Sequence, residues 1–357
     1  MNPRLTIDLK KLEHNGRVLA EMCHAAGMSV AAVTKVFCAD PAMVTALAAL
    51  PIDYLADSRI ENIASYPAEI AQRTVLLRLP SPSEAMKVVT ACDVSLNSEI
   101  TTLAALAAAA ETMGVTHGVV LMIDLGDLRE GIYYDNHAQI HETVEFILSK
   151  PSLVLEGIGT NLTCYGSVLP TEENLGRLAH IADAIRQKYG VALPIVSGGN
   201  SSTLDLLSKG QIPKGINNLR LGESIVCGKE TAYGEVFSGL EVDVVVLDAE
   251  IIEIAEKPTM PEGKININAF GEVVQYEDKG MRKKALLAVG RQDVSLDGLT
   301  PLGGGIEIIG GSSDHLIVDI TDAENALAAG DRLEFSLSYG AVLAAFTSRY
   351  VERTYVK

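Results

Sequence analysis

TVLLRLPSPSEAMKVVTACDVSLNSEITTLAALAAAAETMGVTHGVVLMIDLG, residues 74–126, decides the fold. Three short apolar runs stand in it: TVLLRL (74–79), DVSLN (93–97) and HGVVLMIDLG (117–126). Between the second and the third, EITTLAALAAAAETMG carries apolar residues three and four apart, the period of a helix. Strands that are apolar along their length and separated by helices pair in parallel, with both faces covered. Working outward, the same alternation picks out SVAAVTK (29–35), DYLADS (53–58), LEGIGTNLTC (155–164), LPIVSGGN (193–200) and NNLRLGES (217–224). Eight such units in a row predict an α/β chain built on a (β/α)8 TIM barrel; an open, doubly wound sheet would not need eight. Residues 7–26 read as a helix preceding the first strand.

Past about residue 236 the pattern changes. VDVVVLDAEIIEIAEK, KALLAVG, IEIIGGSSDHLIVDI and DRLEFSLSYG are strand-like, and the intervening helices vanish. The expected organisation is a barrel in residues 1–235 and a second, C-terminal β-rich domain in 236–357, with the break in the loop-like ETAYGEVFSG (230–239). A chain of 357 residues is long enough for both.

Composition excludes several partners. A net charge of −17 argues against a nucleic acid and mildly favours a cationic small molecule. No apolar run approaches the roughly 18 residues of a membrane helix, and the N-terminus has no basic start followed by an apolar core, so a cytoplasmic protein is expected. Cys23, Cys38, Cys92, Cys164 and Cys227 are scattered, and the seven histidines lack ligand spacing, so neither disulfides nor a metal are expected.

Catalytic groups of a barrel sit at the C-terminal ends of its strands. Lys35 ends the first strand behind VAAV, where burial lowers an ammonium toward a nucleophile; the bland alternative is a lysine leaving the barrel mouth into solvent. SGGNSS (197–202) follows strand 7, where glycines and Ser201 suit a phosphate; the alternative is a plain turn with a serine cap. RLGES (220–224) supplies the matching loop after strand 8. Arg220 stands inside an apolar strand, as a structural ion pair or a functional group, and Arg129 in DLGDLREG (124–131) suits a carboxylate or a solvated helix start. A lysine, a phosphate cradle and internal arginines in one barrel point to a phosphorylated aldehyde cofactor, pyridoxal 5′-phosphate (PLP).

These residues also carry a resemblance. TIDLKKLEHN (6–15), AAVTK (31–35), LMIDLGDLREG (121–131), SGGNSS, NLRLGESIVCG (218–228) and GSSDHLIVD (311–319) together resemble the alanine racemase family of fold-type III PLP enzymes, over nearly the whole chain. TKVFCAD, DLGDLREG, NLTCYG, VSGGNSS and ETAYGE look closer to its ornithine- and lysine-type racemases. The resemblance implies that Lys35 forms the Schiff base and is one of two acid–bases. It implies that Ser201 and the amides near Gly222 and Glu223 hold the phosphate, with Asn161, Asn200 and Tyr350 in the same cofactor set. Arg220 would bond the pyridine nitrogen and keep it unprotonated, which suits racemisation over transamination. Arg129 would meet the phenolic oxygen or the substrate carboxylate, and Asp314 would enter the site of a partner subunit in a homodimer.

The departures define what is open. Arg291 stands where the family has its second, tyrosine base, so Tyr165, Cys164 and His315 become candidates; the plain alternative for His315 is a hydrogen-bonded domain residue. Ala39 replaces a phosphate tyrosine, and Met122 replaces the carbamylated lysine that holds the arginine, so Arg129 must be held in another way. Arg291 and Asp293 join Arg129 and Asp314 as substrate-side candidates, and Asp293, Glu223 or Asp127 would grip a distal ammonium. The expected activity is a racemase of a basic amino acid. The rivals are an alanine or broad-range racemase, a PLP decarboxylase, a metal-dependent lyase of the D-threonine aldolase kind and a non-enzymatic PLP carrier.

Overall fold

In the computed structural model, which describes residues 2–356, the chain divides into two compact units. One runs from Lys10 to Val242; the other joins the chain up to Leu9 to the chain from Asp243 onward. The opening residues form a strand, β1 (Arg4–Asp8), and then a helix, α1 (Leu9–Ala25). The expected helix over 7–26 therefore gives up its first two residues to a strand.

The first unit is a closed barrel. Its eight strands are β2 (Ser29–Val33), β3 (Tyr54–Asp57), β4 (Arg73–Leu76), β5 (Val94–Asn97), β6 (His117–Asp124), β8 (Leu153–Gly159), β9 (Ile195–Ser197) and β10 (Asn218–Leu221). Each pairs in parallel with the next, β10 returns to β2, and a two-residue strand, β7 (Ile132–Tyr133), adds to the end of β6. The TIM-barrel expectation and all eight strand positions are borne out. Ala31, Val33, Ala56, Val75, Val94, Leu96, Val120, Met122 and Ile195 pack together as an apolar cluster. At roughly 1.5–3 kcal/mol for each large side chain removed from water, such a cluster anchors the strand ends in place.

Helices α2 (Pro41–Ala48), α3 (Ile60–Ala64), α4 (Ala85–Ala91), α5 (Ile100–Met113), α6 (His137–Leu148), α7 (Glu172–Tyr189), α8 (Leu204–Ser208) and α9 (Glu223–Cys227) connect the strands. Their ends are written locally. Asp40 caps α2 ahead of Pro41, and Thr171 with Asn174 forms a capping box on α7. All the non-glycine residues with positive φ among the described ones lie in loops that follow barrel strands: Cys38, Ala39, Leu128, Thr163 and Ser167. Each such conformation costs on the order of 1 kcal/mol and tends to gather at functional sites.

The second unit is an eight-stranded, mostly antiparallel sheet. It comprises β1, β11 (Val245–Pro258), β12 (Met281–Leu287), β13 (Leu299–Pro301), β14 (Glu307–Gly311), β15 (Leu316–Asp319), β16 (Arg332–Leu337) and β17 (Glu352–Val356). β1 lies between β11, antiparallel, and β17, parallel. The reading that helices vanish here is corrected by α10 (Tyr339–Thr347), capped by Ser338.

Candidate active site

Lys35 opens a 3-10 turn two residues beyond the end of β2. Thr34 before it and Phe37 behind it are fully buried, and Lys35 itself is half-buried. Burial pushes its ammonium below the usual lysine range; Cys164 acts to raise it, Arg129 to lower it, Asp57 to raise it and Arg220 to lower it. Those groups come from loops after β8 and β6 and from the strands β3 and β10, so the strand ends converge on the lysine.

Asp57, the last residue of β3, is wholly buried. It accepts from Thr34 Oγ1 at 2.6 Å, the Arg59 amide at 2.9 Å and Asn62 Nδ2 at 3.0 Å. Tyr66 OH lies 2.8 Å from the same Thr34 oxygen. Burial pushes the Asp57 carboxyl above the ordinary range, and these bonds act against it. The residue just ahead of Lys35 is thereby pinned.

The loop after β6 delivers Arg129. Asp124 Oδ1 accepts from the amides of Gly126 and Leu128 at 2.8 and 3.2 Å, which curls the chain back. Gly131 closes the curl at φ +117°, where a Cβ would stand 2.6 Å from the Asp124 amide nitrogen, so only glycine fits. Arg129 donates through Nε and, at 2.6 Å, through Nη2 to the two oxygens of Glu130, which raises the guanidinium further above the usual arginine range. Asn161 Nδ2 donates to Glu130 as well, and Asn161 Oδ1 accepts from Arg220 Nη2. Arg220 also donates to Ser197 Oγ and, at 2.7 Å, to the Thr160 carbonyl. Burial draws its guanidinium down to about 10, which still leaves it charged at neutral pH. Arg129, Glu130, Asn161 and Arg220 thus form one connected chain across the barrel mouth. Sequence reasoning found three of the four and missed Glu130, because an acid next to an arginine in a loop carries no pairing signal.

The SGGNSS loop gathers hydroxyls. Ser201 and Ser224 Oγ lie 3.0 Å apart, both buried, and the Ser224 amide faces Ser201 Oγ at 3.3 Å. The Ser202 hydroxyl is buried without a hydrogen-bond partner, as are Thr160 Oγ1 and Asn97 Oδ1 at other strand ends. Unpaired buried polar atoms are costly and mark places where a ligand supplies the missing partner. Gly222 caps α9, and Glu223 is half-buried near enough for Lys35 to act on it; burial pushes its carboxyl up. Asn200 is spent on structure: its Oδ1 accepts from the Ser202 amide at 2.9 Å and its Nδ2 donates to the Leu162 carbonyl at 3.0 Å.

Asp127 is buried and holds the loop after β8, accepting from the amides of Cys164, Tyr165 and Val168. Its carboxylate is thereby used up, which corrects the expectation that it grips a ligand ammonium. Cys164 and Tyr165 ride on that loop and both are exposed, Tyr165 by 73%. Burial of the sulfur pushes the Cys164 thiol up while Arg129 acts to lower it.

The remaining candidates belong to the second unit. Arg291 pairs with Glu272 at 2.9 and 3.1 Å and stacks on Phe270 at 4.4 Å. Asp314 is exposed and accepts from Ser312 and Ser313 Oγ at 3.1 and 3.0 Å, which hold it below the usual carboxylate range. His315 Nδ1 lies 3.3 Å from its carboxylate. The Arg291 and Gln292 amides bond the carbonyls of Ser312 and Ser313, so Arg291, Asp314 and His315 share one edge of that unit. Asp293 is buried and engaged by the Gly290 amide at 3.1 Å and Ser348 Oγ at 3.2 Å, so it holds a turn rather than offering an open carboxylate to a ligand. Tyr350 is half-exposed beneath Arg349. Among the described residues no group of three His, Cys, Asp or Glu side chains is arranged to hold a metal ion, and no helix is long and apolar enough to cross a membrane.

A parallel eight-stranded barrel with a desolvated lysine and two arginines at its strand ends, followed by a β unit, has the build of a barrel-type amino-acid racemase. The chain belongs to the alanine racemase family: residues 7–229 match its N-terminal domain. It is 45% identical to an ornithine racemase of Acetoanaerobium sticklandii over 99% of both chains. It is 37% identical to a lysine racemase of Thermotoga maritima over 99% of this chain and 98% of the other. An alanine racemase of Bartonella henselae, solved with covalently bound pyridoxal phosphate, has the same fold at a TM-score of 0.74 and 18% identity, over 100% of both chains.

Proposed function

We propose that the protein is a PLP-dependent racemase of a basic amino acid, ornithine or lysine, with Lys35 as the cofactor-bearing residue and one of its two acid–bases. The carrying observation is the desolvated Lys35 amine, on which Arg129 and Arg220 both act. The residues present fit the cofactor: Ser202 has a buried hydroxyl in want of a partner, in the same loop as Ser201, whose hydroxyl lies against that of Ser224. When bound, PLP draws electron density from the substrate's α-carbon and makes its proton acidic.

The chain's own residues divide the remaining work. Lys35, kept below its usual range by burial, holds or releases a proton at Nζ on one face of the substrate. Arg220 keeps its own proton near neutrality, so it can only donate, and a ring nitrogen facing it stays an acceptor. Arg129, fixed by Glu130, would hold an anionic oxygen of the cofactor or the substrate carboxylate. Ser201, Ser202 and the backbone at Gly222 and Glu223 would hold the phosphate. Cys164 or Tyr165, from the loop after β8, or His315 serves the opposite face. Glu223 is the carboxylate left for a distal ammonium, since those of Asp127 and Asp293 are occupied. The two basic-amino-acid racemases among its relatives support that substrate class. Arg220, in place of a carboxylate, disfavours the decarboxylase alternative.

The active assembly in this reading is a homodimer in the cytoplasm. Apolar side chains exposed over residues 265–281, among them Ile265, Ile267, Val273 and Met281, favour burial against another chain. Cysteines outside disulfides, such as Cys23, Cys92, Cys164 and Cys227, suit a reducing compartment.

Incubation of the PLP-loaded protein with L-ornithine, L-lysine and L-alanine, followed by chiral chromatography, tests the function. D-ornithine or D-lysine is expected at a far higher rate than D-alanine. Release of CO2 or an aldehyde with no D-isomer would sink the racemase reading.

A further inference from the structure

We propose that Glu130 is a positioning residue of this site, locking Arg129 and, through Asn161, Arg220 into one rigid unit. The inference rests on the PLP reading above.

Adjacent residues on an ordinary strand point to opposite sides. Here Leu128 at φ +58° and Gly131 at φ +117° curl the loop so that Arg129 and Glu130 face one another. Both oxygens of Glu130 meet Arg129, through Nε and, at 2.6 Å, through Nη2. The oxygen that meets Nη2 also accepts from Asn161, whose own oxygen accepts from Arg220. A surface ion pair would contribute little. This carboxylate differs, because its side chain is only 16% exposed. Burial alone would raise its pKa, but the bonds and charges of Arg129, Asn161 and Arg220 outweigh that and keep it ionised.

The arrangement answers two needs. Arg129 and Arg220 bring two guanidinium charges to one mouth beside Lys35, and Glu130 is an acid bonded into their network. In the family pattern a carbamylated lysine holds the arginine, and Met122 stands at that place, fully buried in the barrel core. Glu130 supplies the missing anion from the neighbouring loop instead. A side chain held on two sides loses little further freedom when the ligand arrives, which is the condition for pre-organised electrostatics.

Glu130→Gln tests this, since the amide keeps the shape and removes the charge. Asn161→Ala removes the bridge but leaves the Arg129–Glu130 pair. Each variant is loaded with PLP, and its visible absorbance is titrated with pH. kcat and KM for L-ornithine and the melting temperature are then measured. Glu130→Gln is expected to take up PLP, to shift the pH at which the absorbance changes and to lose ~10²-fold in kcat/KM, the scale of a mispositioned group. Asn161→Ala is expected to lose about 10-fold, roughly half that effect in free energy. Wild-type kcat/KM and an unmoved titration in Glu130→Gln would overturn the proposal. So would a loss of activity that follows the melting temperature while the titration stays put. Should Glu130→Gln fail to fold, Asn161→Ala decides in the same way. A wild-type protein that takes up no PLP overturns the parent reading and this inference with it; a normal wild type beside an unaffected variant overturns this inference alone.

Discussion

Burial sets the chemistry of single residues in this barrel, and it does so differently for each. Lys35 is pushed toward its neutral, reactive form, whereas Arg220, buried more deeply, starts from so high a value that it stays charged. The same physics acts on His117, which is 1% exposed with Nε2 2.7 Å from Ser95 Oγ. Burial draws its ring from 6.5 down to about 4. A depressed histidine contributes stability that is fully present above about pH 6.5 and is lost as the pH falls toward 4. The shift corresponds to up to ~3 kcal/mol. Urea midpoints measured from pH 7 to pH 4 should fall more steeply for wild type than for His117→Gln; parallel curves would contradict this assignment. Lys35, Arg129 and Arg220 were legible in the sequence because each is a charge at or near the end of an apolar strand. Glu130 was not, and neither was the occupation of the Asp127 and Asp293 carboxylates. Those depend on loop curvature and on backbone amides, which leave no mark on residue type.

At the scale of elements, the eight barrel strands were readable because parallel strands covered on both faces must be apolar throughout. Their ends were less so. The run 155–164 looked like one strand, yet β8 starts earlier, at Leu153, and stops at Gly159; the chain then turns through Thr163 at φ +58°. Ile7 and Asp8, the end of β1, read as helix because a five-residue strand beside a long helical pattern lacks a period of its own. α10 was hidden inside an apolar run that also fits a strand. One register feature of β8 carries a direct consequence. Its pairing with β6 shifts between Val119 and Val120, opposite Glu156, and beside that shift a Cβ on Gly157 would stand 1.8 Å from the Ile195 carbonyl oxygen. Backbone leaves no room there. Gly157→Ala should therefore push β9 away and cost at least ~3 kcal/mol, as severe overpacking does. At roughly 2–4 °C per kcal/mol that lowers the melting temperature by about 6–12 °C, and a value within about 2–3 °C of wild type would contradict the close approach.

For the whole molecule, Arg291, Asp314 and His315 share a polar edge of the second unit, and the proposed function assigns that edge a role in assembly. In the homodimer proposal that edge belongs to the partner's site. Sedimentation of the PLP-loaded protein should give twice the chain mass, and a fully active monomer would contradict it. The sequence foretold a β-rich second region and the barrel, but it carried no physical sign of assembly, which was inferred by resemblance. What binds the levels together is Lys35: a charge at a strand end, a strand in a closed barrel, and a barrel belonging to a racemase family. The most direct test runs L-ornithine with PLP-loaded wild type and Lys35→Ala in D2O and analyses the α-position of each enantiomer. The account predicts D-ornithine carrying α-deuterium with wild type, and a loss of at least ~10²-fold with Lys35→Ala. No α-exchange in wild type, or undiminished exchange in Lys35→Ala, would contradict it.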